Sequence, residues 1–146
     1  MYFLTVCAYE QACLFGEIEN GTMRLNDAGR IVHTTWNNLP EHYAHVVLDD
    51  FVVMPNHVHG IVVFNEPVRA GLKPAPTRHG LSEIVRAFKT FSSRRIHPVH
   101  GAPGASVWQR NYWERVIRNE SELAHIREYI QNNPLPWELD KLYPPS

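Results

Sequence analysis

The sequence predicts an α+β domain with a mainly antiparallel sheet. Runs rich in β-branched and aromatic residues are interspersed with helical patterns along the chain. Short turn signals, such as Asn20-Gly21 and Pro55-Asn56, join neighbouring runs and favour hairpins over parallel crossovers. The chain has 146 residues, no internal repeat and no linker, so a single domain over residues 1–146 is predicted.

The predicted strands are the segments in which β-branched and aromatic residues are densest. The third of them is expected to be broken near Leu48-Asp49-Asp50 and to pair antiparallel with its successor through the Pro55-Asn56 turn. The full set comprises Tyr2 to Tyr9, a hairpin around Asn20-Gly21, His42 to Met54, His57 to Phe64 and Val107 to Ile117.

Three helices are predicted from apolar residues at helical spacing. The first follows Asp27, a good N-cap, and ends at Pro40. The last begins at Asn119, with Glu122 in a capping-box position. The apolar stripe of the middle helix is Leu81, Ile84, Val85, Phe88 and Phe91. The stripe of the last helix is Leu123, Ile126 and Ile130.

Composition excludes several classes of protein. Hydrophobic residues make up 44% and charged residues 20%, as in ordinary globular domains. Apolar runs such as Phe51–Met54 are far shorter than the ~20 residues that cross a bilayer, so no membrane association is expected. The N-terminus lacks the basic segment of a secretory signal. Cys7 and Cys13 match no common zinc spacing, and a cytoplasmic protein with reduced thiols is expected.

The positive charge is concentrated in the middle of the chain. The net charge is −1, yet residues 61–118 carry ten Lys or Arg against three Asp or Glu. A single basic face fits the phosphate backbone of a nucleic acid. A solvated helix face balanced by acids folded nearby fits the same distribution. Charge alone leaves both interpretations open.

Two histidines occupy alternate positions of a predicted strand. The period of two places the imidazoles of His57 and His59 on one face and Val58 on the other. Side chains at this spacing can converge on one ion, and neutral imidazole is the commonest metal ligand. A catalytic metal usually needs a third protein ligand. Two hydrogen-bonded histidines are therefore the alternative interpretation.

A polar stripe accompanies the apolar stripe of the last helix. At about 100° per residue, His125, Tyr129 and Asn133 fall close together on the helical wheel. Asn133 lies one turn after Tyr129. One interpretation is a boundary tyrosine whose ring is half buried and whose hydroxyl is in water. The other is a tyrosine nucleophile with a metal ligand one turn away.

Three segments together resemble a known family. The run Phe-Val-Val-Met-Pro-Asn-His-Val-His-Gly-Ile over residues 51–61 resembles the signature of the REP-associated tyrosine transposases. These belong to the HUH single-tyrosine transposases of bacterial insertion sequences. The run from Val107 to Glu120 is similar to the segment before that family's tyrosine helix. Tyr129-Ile130-Gln131-Asn132-Asn133-Pro134 matches the family's Tyr-Ile-x-x-Asn-Pro element.

The resemblance implies a ferredoxin-like antiparallel sheet flanked by helices, with the histidine pair on a central strand. It implies that His57, His59 and Asn133 bind a divalent cation, Mg²⁺ or Mn²⁺. It also implies that Tyr129, assisted by His57 and His59, is the catalytic nucleophile. The implied substrate is hairpin-forming single-stranded DNA. Some relatives are dimers that exchange the tyrosine helix, which makes a homodimer a candidate assembly.

The implied reaction cuts and rejoins DNA without an external energy source. A phenol is a weak nucleophile at its free pKa of about 10, so a cation that withdraws charge from the scissile phosphate would assist attack. Tyr129 would form a 5′-phosphotyrosine link and release a 3′-hydroxyl. Because the link keeps the energy of the phosphodiester, a second 3′-hydroxyl can reverse the step.

The basic residues of the middle segment are the predicted DNA contacts. One group lies opposite the apolar stripe of the middle helix, as a phosphate-binding stripe would. It comprises Arg86, Lys89, Arg94 and Arg95. The second group, Arg110, Arg115 and Arg118, is interleaved with aromatic residues that suit stacking on unpaired bases. Those aromatic residues are Trp108, Tyr112 and Trp113. The alternative is a salt-bridged surface above an aromatic core.

Two other functions stay open at this point. A replication or conjugation initiator would share the histidine pair and the tyrosine. A nucleic-acid-binding module with a ferredoxin-like sheet would share the fold and have no catalysis. Replacing Tyr129 by Phe separates a pure binder, which would be unchanged, from an enzyme, which would lose its covalent link to DNA.

Overall fold

The computed structural model of the chain describes residues 1–65, 80–100 and 106–132. Asn133, the predicted third ligand, lies outside the described residues. Among these residues the structure has six strands, all within predicted segments, although the last covers only four of the residues predicted from Val107 to Ile117. They are β1 (Tyr2–Cys7), β2 (Gly16–Glu19), β3 (Thr22–Leu25), β4 (Val46–Met54), β5 (His57–Phe64) and β6 (Trp113–Val116).

Four of the strands form one antiparallel sheet in the order β4-β5-β1-β6, and β2 and β3 form a separate hairpin. Four helices complete the fold: α1 (Asp27–Asn37), α2 (Leu39–His42), α3 (Leu81–His100) and α4 (Glu120–Asn132). The succession β1-α1-β4-β5-α3-β6 is the β-α-β-β-α-β pattern of ferredoxin-like folds. The predicted fold class is thus confirmed. Within the described residues, no helix has both the length and the apolar character that crossing a membrane requires.

Several element boundaries differ from the prediction for local reasons. The N-cap of α1 is Asn26, whose side chain accepts a hydrogen bond from the Gly29 amide, and Asp27 is the first helical residue. β4 begins at Val46 rather than at His42, because the short helix α2 continues to His42. β4 is broken between Leu48 and Phe51, as predicted.

The predicted N-terminal cap of α4 is formed, in a variant of the capping box. The Asn119 side chain accepts a hydrogen bond from the Glu122 amide at 2.8 Å. The Glu122 carboxylate reaches back to the Arg118 amide at 2.9 Å. The first bond satisfies an amide that the first turn of a helix leaves unpaired, and the second ties the residue before the N-cap to the same turn.

The sheet has a buried core on each face. The larger core lies under α1 and α3 and contains Leu4, Val6, Val58 and Val62 from the sheet. The smaller core lies under α4, where Ile61 and Ile117 pack against Leu123, Ile126 and Ile130. Side chains alternate along a strand, so β5 contributes its even-numbered residues to the first face and its odd-numbered residues to the second. His57 and His59 therefore lie on the face that α4 covers.

Gly60 is a point of close approach between the sheet and α1. A Cβ atom at Gly60 would lie 2.6 Å from Trp36 Cη2 and 3.0 Å from Phe51 Cδ2. The two rings are stacked, with centroids 4.4 Å apart. Because the glycine follows His59 directly, the bare backbone at this position lets Trp36 pack behind the histidine pair.

We expect Gly60→Ala to destabilise the fold, because neither stacked ring can move without disturbing the larger core. Overpacking of this kind costs about 1–3 kcal/mol, which for a chain of this length lowers Tm by roughly 3 to 12 °C. Differential scanning calorimetry measures the change. Gly80→Ala is the matched control, because a Cβ there meets nothing within 4 Å. Equal melting temperatures for the two variants would contradict the prediction.

Candidate functional site

The histidine pair is buried on the α4 face of the central strand β5. The exposed fraction is 0% for His57 and 4% for His59. The two Nε2 atoms face each other at 3.1 Å, and the rings are nearly perpendicular. The pair thus converges on one point, as the strand period predicts.

Each imidazole is held by a hydrogen bond at its other nitrogen. His57 Nδ1 lies 2.8 Å from Asn56 Oδ1, and His59 Nδ1 lies 2.9 Å from the Thr5 hydroxyl. The Asn56 amide nitrogen donates to the Gln11 carbonyl, which leaves its oxygen facing His57. An amide oxygen can only accept, so His57 Nδ1 carries the proton and Nε2 presents its lone pair.

Burial keeps the His57 ring neutral, and a neutral ring with its proton on Nδ1 has a lone pair on Nε2. Burial lowers the pKa of His57 to about 4, so the ring is neutral at neutral pH. The Thr5 hydroxyl can donate to His59 Nδ1 or accept from it. In the second case neither Nε2 atom carries a proton, and the two facing lone pairs, 3.1 Å apart, would repel each other without a cation against both.

The donor set is suited to a divalent cation. Hydrogen bonds from the outer nitrogens of metal-binding imidazoles fix ring orientation and tautomer in many metal sites, and both rings have such bonds here. Among the residues that the structure describes, the two histidines form no cluster with a third His, Cys, Asp or Glu. A further ligand would have to be of another type, and the predicted ligand Asn133 is an amide beyond the described end of α4.

Tyr129 lies beside the histidine pair of its own chain. Its ring centroid is 5.3 Å from that of His59 and 6.2 Å from that of Phe3. Phe3 also stacks on His59, with ring centroids 5.3 Å apart. Tyr129 is 50% exposed, although Ile126 and Ile130 on the same helix are buried. The tyrosine is thus packed at its ring and open to solvent.

Two aspartates at the irregularity in β4 accept hydrogen bonds from side chains of α4. Asp49 and Asp50 fall between the paired residues Leu48 and Phe51. The Asp49 carboxylate accepts two hydrogen bonds from Arg127, at 2.6 and 2.8 Å. Asp50 accepts one from Gln131 at 2.7 Å. The two contacts flank Tyr129 along the helix, so they fix the position of its ring relative to His59.

The Asp49–Arg127 pair makes the docking of α4 sensitive to pH. Its hydrogen bond lowers the pKa of Asp49 below the usual value. A carboxylate with a lowered pKa stabilises the fold above its unfolded pKa of about 3.9, and this contribution is lost as the pH falls through the lowered value.

We expect Asp49→Asn to speed amide hydrogen exchange in α4 about two- to fivefold at neutral pH, because a partly exposed ion pair contributes up to about 1 kcal/mol. Melting curves of the variant and the parent should converge below pH 4. Glu19→Gln is the control, because it removes an exposed pair with Arg24 in the β2–β3 hairpin. An effect of Glu19→Gln on α4 as large as that of Asp49→Asn would contradict the prediction.

The predicted DNA contacts lie on α3 and around β6. Exposed side chains are found at Arg86, Arg94, Arg95, Arg110, Arg115 and Arg118. Arg94 and Arg110, with Lys89, line an open cleft of about 440 Å³ between α3 and the segment before β6. Arg95 donates a hydrogen bond to Thr35 on α1 at 3.3 Å. Their contact with DNA stays a prediction.

Lys89 has a structural role that the sequence did not indicate. Its ammonium donates hydrogen bonds to the carbonyls of Gln109, Arg110 and Asn111 at 2.7 to 3.2 Å. Burial lowers its pKa, and its nitrogen lies 5.9 Å from the centre of the Tyr112 ring. Lys89 therefore holds the segment that leads into β6.

The aromatic residues near β6 separate into buried and exposed side chains. Trp108 was predicted as a stacking residue, and this prediction is wrong. Its ring is buried against Phe15 and Phe88, and its indole nitrogen donates to Ser92. Trp113, in contrast, is 69% exposed. The interleaving of aromatic and basic residues does not reveal which rings face the core.

A family model for IS200-like transposases matches residues 3–133, which include both histidines and Tyr129. The chain belongs to the IS200-like transposase family. The resemblance read from the histidine and tyrosine segments is thereby confirmed.

Individual relatives agree with this assignment. The transposase is 41% identical to an uncharacterized protein of Haemophilus influenzae, over 97% of this chain and 84% of the other. A second protein of that species, provisionally named a REP-associated tyrosine transposase, is 28% identical over 57% of this chain and 46% of its own length. The fold is similar to that of a REP-associated tyrosine transposase bound to a REP hairpin, with a TM-score of 0.65 and 20% identity over 96% of this chain and 69% of that one.

Sequence reasoning about this transposase missed the residues around the histidines. Thr5 and Phe3 lie on β1, which pairs with β5 so that Thr5 is opposite His59. The strand period places Phe3 and Thr5 on one face, but it does not specify which strand lies alongside. Asn56 was interpreted as a turn residue. The adjacency of Asn56 and His57 in the sequence could have indicated the hydrogen bond between their side chains.

Proposed function

We propose that this protein cleaves and rejoins hairpin-forming single-stranded DNA through a 5′-phosphotyrosine intermediate on Tyr129. The observation that carries the proposal is the contact of the half-exposed Tyr129 ring with His59, whose Nε2 faces that of His57. A nucleophile within reach of a preorganised pair of nitrogen ligands is the arrangement that metal-assisted phosphoryl transfer requires.

His57 and His59 are the proposed ligands of a divalent cation, Mg²⁺ or Mn²⁺, together with Asn133. When bound, such a cation supplies Lewis-acid polarisation of a phosphate oxygen. Asn56 and Thr5 hold the two rings so that the Nε2 atoms converge. Phe3 contacts both His59 and Tyr129, so the three rings pack together beside the site.

In the proposed step the Tyr129 hydroxyl oxygen attacks the scissile phosphorus and forms a P–O bond. The bond from phosphorus to the 3′-oxygen breaks, and that oxygen leaves as a 3′-hydroxyl after gaining a proton. The phenol loses its proton to solvent or to a base that stays unassigned. Attack by another 3′-hydroxyl on the phosphotyrosine reverses these changes and joins new ends.

The proposed partner is a DNA hairpin with a single-stranded flank. The structural relative that was solved with a REP hairpin shares the fold, which supports this choice. The exposed arginines of α3 and of the β6 region would contact phosphates, and the cleft that Arg94 and Arg110 line is open enough to admit a backbone. The transposase family model favours this function over a replication or conjugation initiator.

Covalent capture tests the proposal. The protein is incubated with Mn²⁺ and with labelled single-stranded DNA from the region around its own gene, and the products are separated under denaturing conditions. We expect a protein–DNA adduct that resists denaturant and that disappears when EDTA replaces Mn²⁺. Binding of the same DNA without an adduct, over a range of divalent cations, would instead indicate a non-catalytic binding module.

A further inference from the structure

The side chain of Trp113 is large, apolar and exposed to solvent. It lies on β6, at the edge of the sheet, and is 69% exposed, more than any other large hydrophobic residue among those described. Surface exposure of a whole indole ring is uncommon and usually marks a contact surface. Trp113 has no part in the cores beneath α1, α3 or α4.

The strand register places Trp113 in line with the histidine site. Trp113 pairs with Thr5 on β1, and Thr5 pairs with His59 on β5. Directly opposed residues of antiparallel strands point to the same face, so Trp113 lies on the face of His59 and Tyr129. With strands about 4.8 Å apart, the Trp113 backbone is about 10 Å from that of His59.

Arg115 also lies on the histidine face of β6, whereas Glu114 and Val116 lie on the opposite face. Arg115 pairs with Phe3, whose ring touches both His59 and Tyr129. Glu114 pairs with the buried Leu4 and therefore points to the opposite face, as does Val116. The histidine side of β6 thus carries an aromatic ring and a guanidinium, and its acidic side chain is turned away.

β6 is held rigidly at both ends. Before the strand, the Gln109 amide donates to the Cys7 carbonyl at 2.9 Å, and Lys89 binds three carbonyls of residues 109–111. After the strand, the Ile117 amide donates to the Met1 carbonyl at 2.8 Å. A platform fixed in this way loses little conformational entropy when a ligand packs on it.

We propose that Trp113 is a stacking platform for an unpaired base of the DNA strand that enters the histidine site, with Arg115 contacting an adjacent phosphate. This inference rests on the proposed function. A flat ring beside arginines is how proteins hold single strands with little dependence on sequence. The arginine-lined cleft ends at Arg110, three residues before Trp113, and Trp113 lies on the edge strand of the sheet, which suits a strand that passes over this edge.

A second copy of the chain is the rival occupant, because β6 is an edge strand. The positive charge of this surface argues against a second copy of the chain. Arg115 lies on the same face of β6 as Trp113, and Arg110 and Arg118 flank the strand in the sequence, so two such surfaces brought together would repel each other, whereas a phosphate backbone would be attracted.

The test is a binding measurement made in a Tyr129→Phe background, so that no cleavage occurs. The probes are two fluorescein-labelled hairpins from the DNA around the gene, one with a single-stranded extension and one blunt. We expect Trp113→Ala to weaken binding of the extended hairpin about 5- to 150-fold, because stacking on one aromatic ring is worth about 1–3 kcal/mol per base. Trp113→Phe should recover most of the loss, and blunt-hairpin binding should change less than twofold.

Val116→Ala is the matched control, because Val116 is 50% exposed on the opposite face of the same strand. The proposal is overturned if the two alanine variants bind the extended hairpin equally well. It is also overturned if Trp113→Ala dissociates a dimer in analytical ultracentrifugation and leaves DNA affinity unchanged. In either case an adduct formed by the parent with Mn²⁺ would leave the proposed function standing. A parent that forms neither a complex nor an adduct would overturn both.

Discussion

Tyr129→Phe is expected to lower covalent adduct formation with single-stranded DNA at least about a thousandfold, because the variant lacks the attacking oxygen. The fold should persist, since the ring contacts with Phe3 and His59 need no hydroxyl. DNA affinity should stay within about twofold of the parent, because one solvent-facing hydroxyl is lost from an exposed position. Denaturing electrophoresis of labelled DNA measures the adduct, and fluorescence anisotropy measures the affinity.

Tyr9→Phe is a control matched for exposure, since Tyr9 is 47% exposed and Tyr129 is 50% exposed. Tyr112→Phe tests the tyrosine nearest the basic segment. Burial raises the pKa of the Tyr112 hydroxyl. Both controls should keep cleavage. Peptide mapping that places the nucleotide on Tyr112, or full cleavage by the Tyr129→Phe variant, would refute the assignment of the nucleophile.

The second large effect is expected from the histidine pair. His59→Ala should weaken Mn²⁺ binding by more than about 100-fold, because loss of a ligand should exceed the 10- to 100-fold cost of losing an outer hydrogen-bond partner. Adduct formation should fall in parallel. Isothermal titration calorimetry and the electron paramagnetic resonance of Mn²⁺ give readouts that do not depend on DNA cleavage. His57→Ala should behave in the same way.

The control for the histidine variants is His33→Ala, an exposed histidine on α1 that bonds to Asn37. Its Mn²⁺ affinity should match that of the parent. Because His57 and His59 are buried, each variant also needs a melting curve to show that it is folded. A folded His59→Ala variant that binds Mn²⁺ as the parent does would refute the proposed ligand set.

The parts of the site that depend on local periodicity could be predicted from the sequence. Alternation along β5 places His57 and His59 on one face, and helical spacing on α4 places Tyr129 beside the stripe of Leu123, Ile126 and Ile130. Both predictions need only the geometry of a single element. They also explain why the two motifs meet, because α4 must bury its apolar stripe against one face of the sheet.

The parts that depend on contacts between distant elements could not be predicted. Trp108 and Trp113 occur in the same aromatic and basic run, yet the first is in the core and the second is in solvent. The isolated bridge between Ala8 and Trp108 turns the first inward, and no local pattern encodes that bridge. Asp49 was interpreted as part of a break in a strand. Its pairing with Arg127, far along the chain, requires knowledge of where α4 docks.

The two cores on opposite faces of the sheet hold different helices. Among the residues that the structure describes, the cluster beneath α4 shares no buried side chain with the larger one beneath α1 and α3. Loosening of the tyrosine helix would therefore expose the smaller core and leave the side chains of the larger core packed. An enzyme whose nucleophile is docked for only a fraction of the time works at that fraction of its intrinsic rate. Substitutions in Leu123, Ile126 or Ile130 would then lower activity through the docked fraction of α4, in addition to the stability lost with each buried side chain.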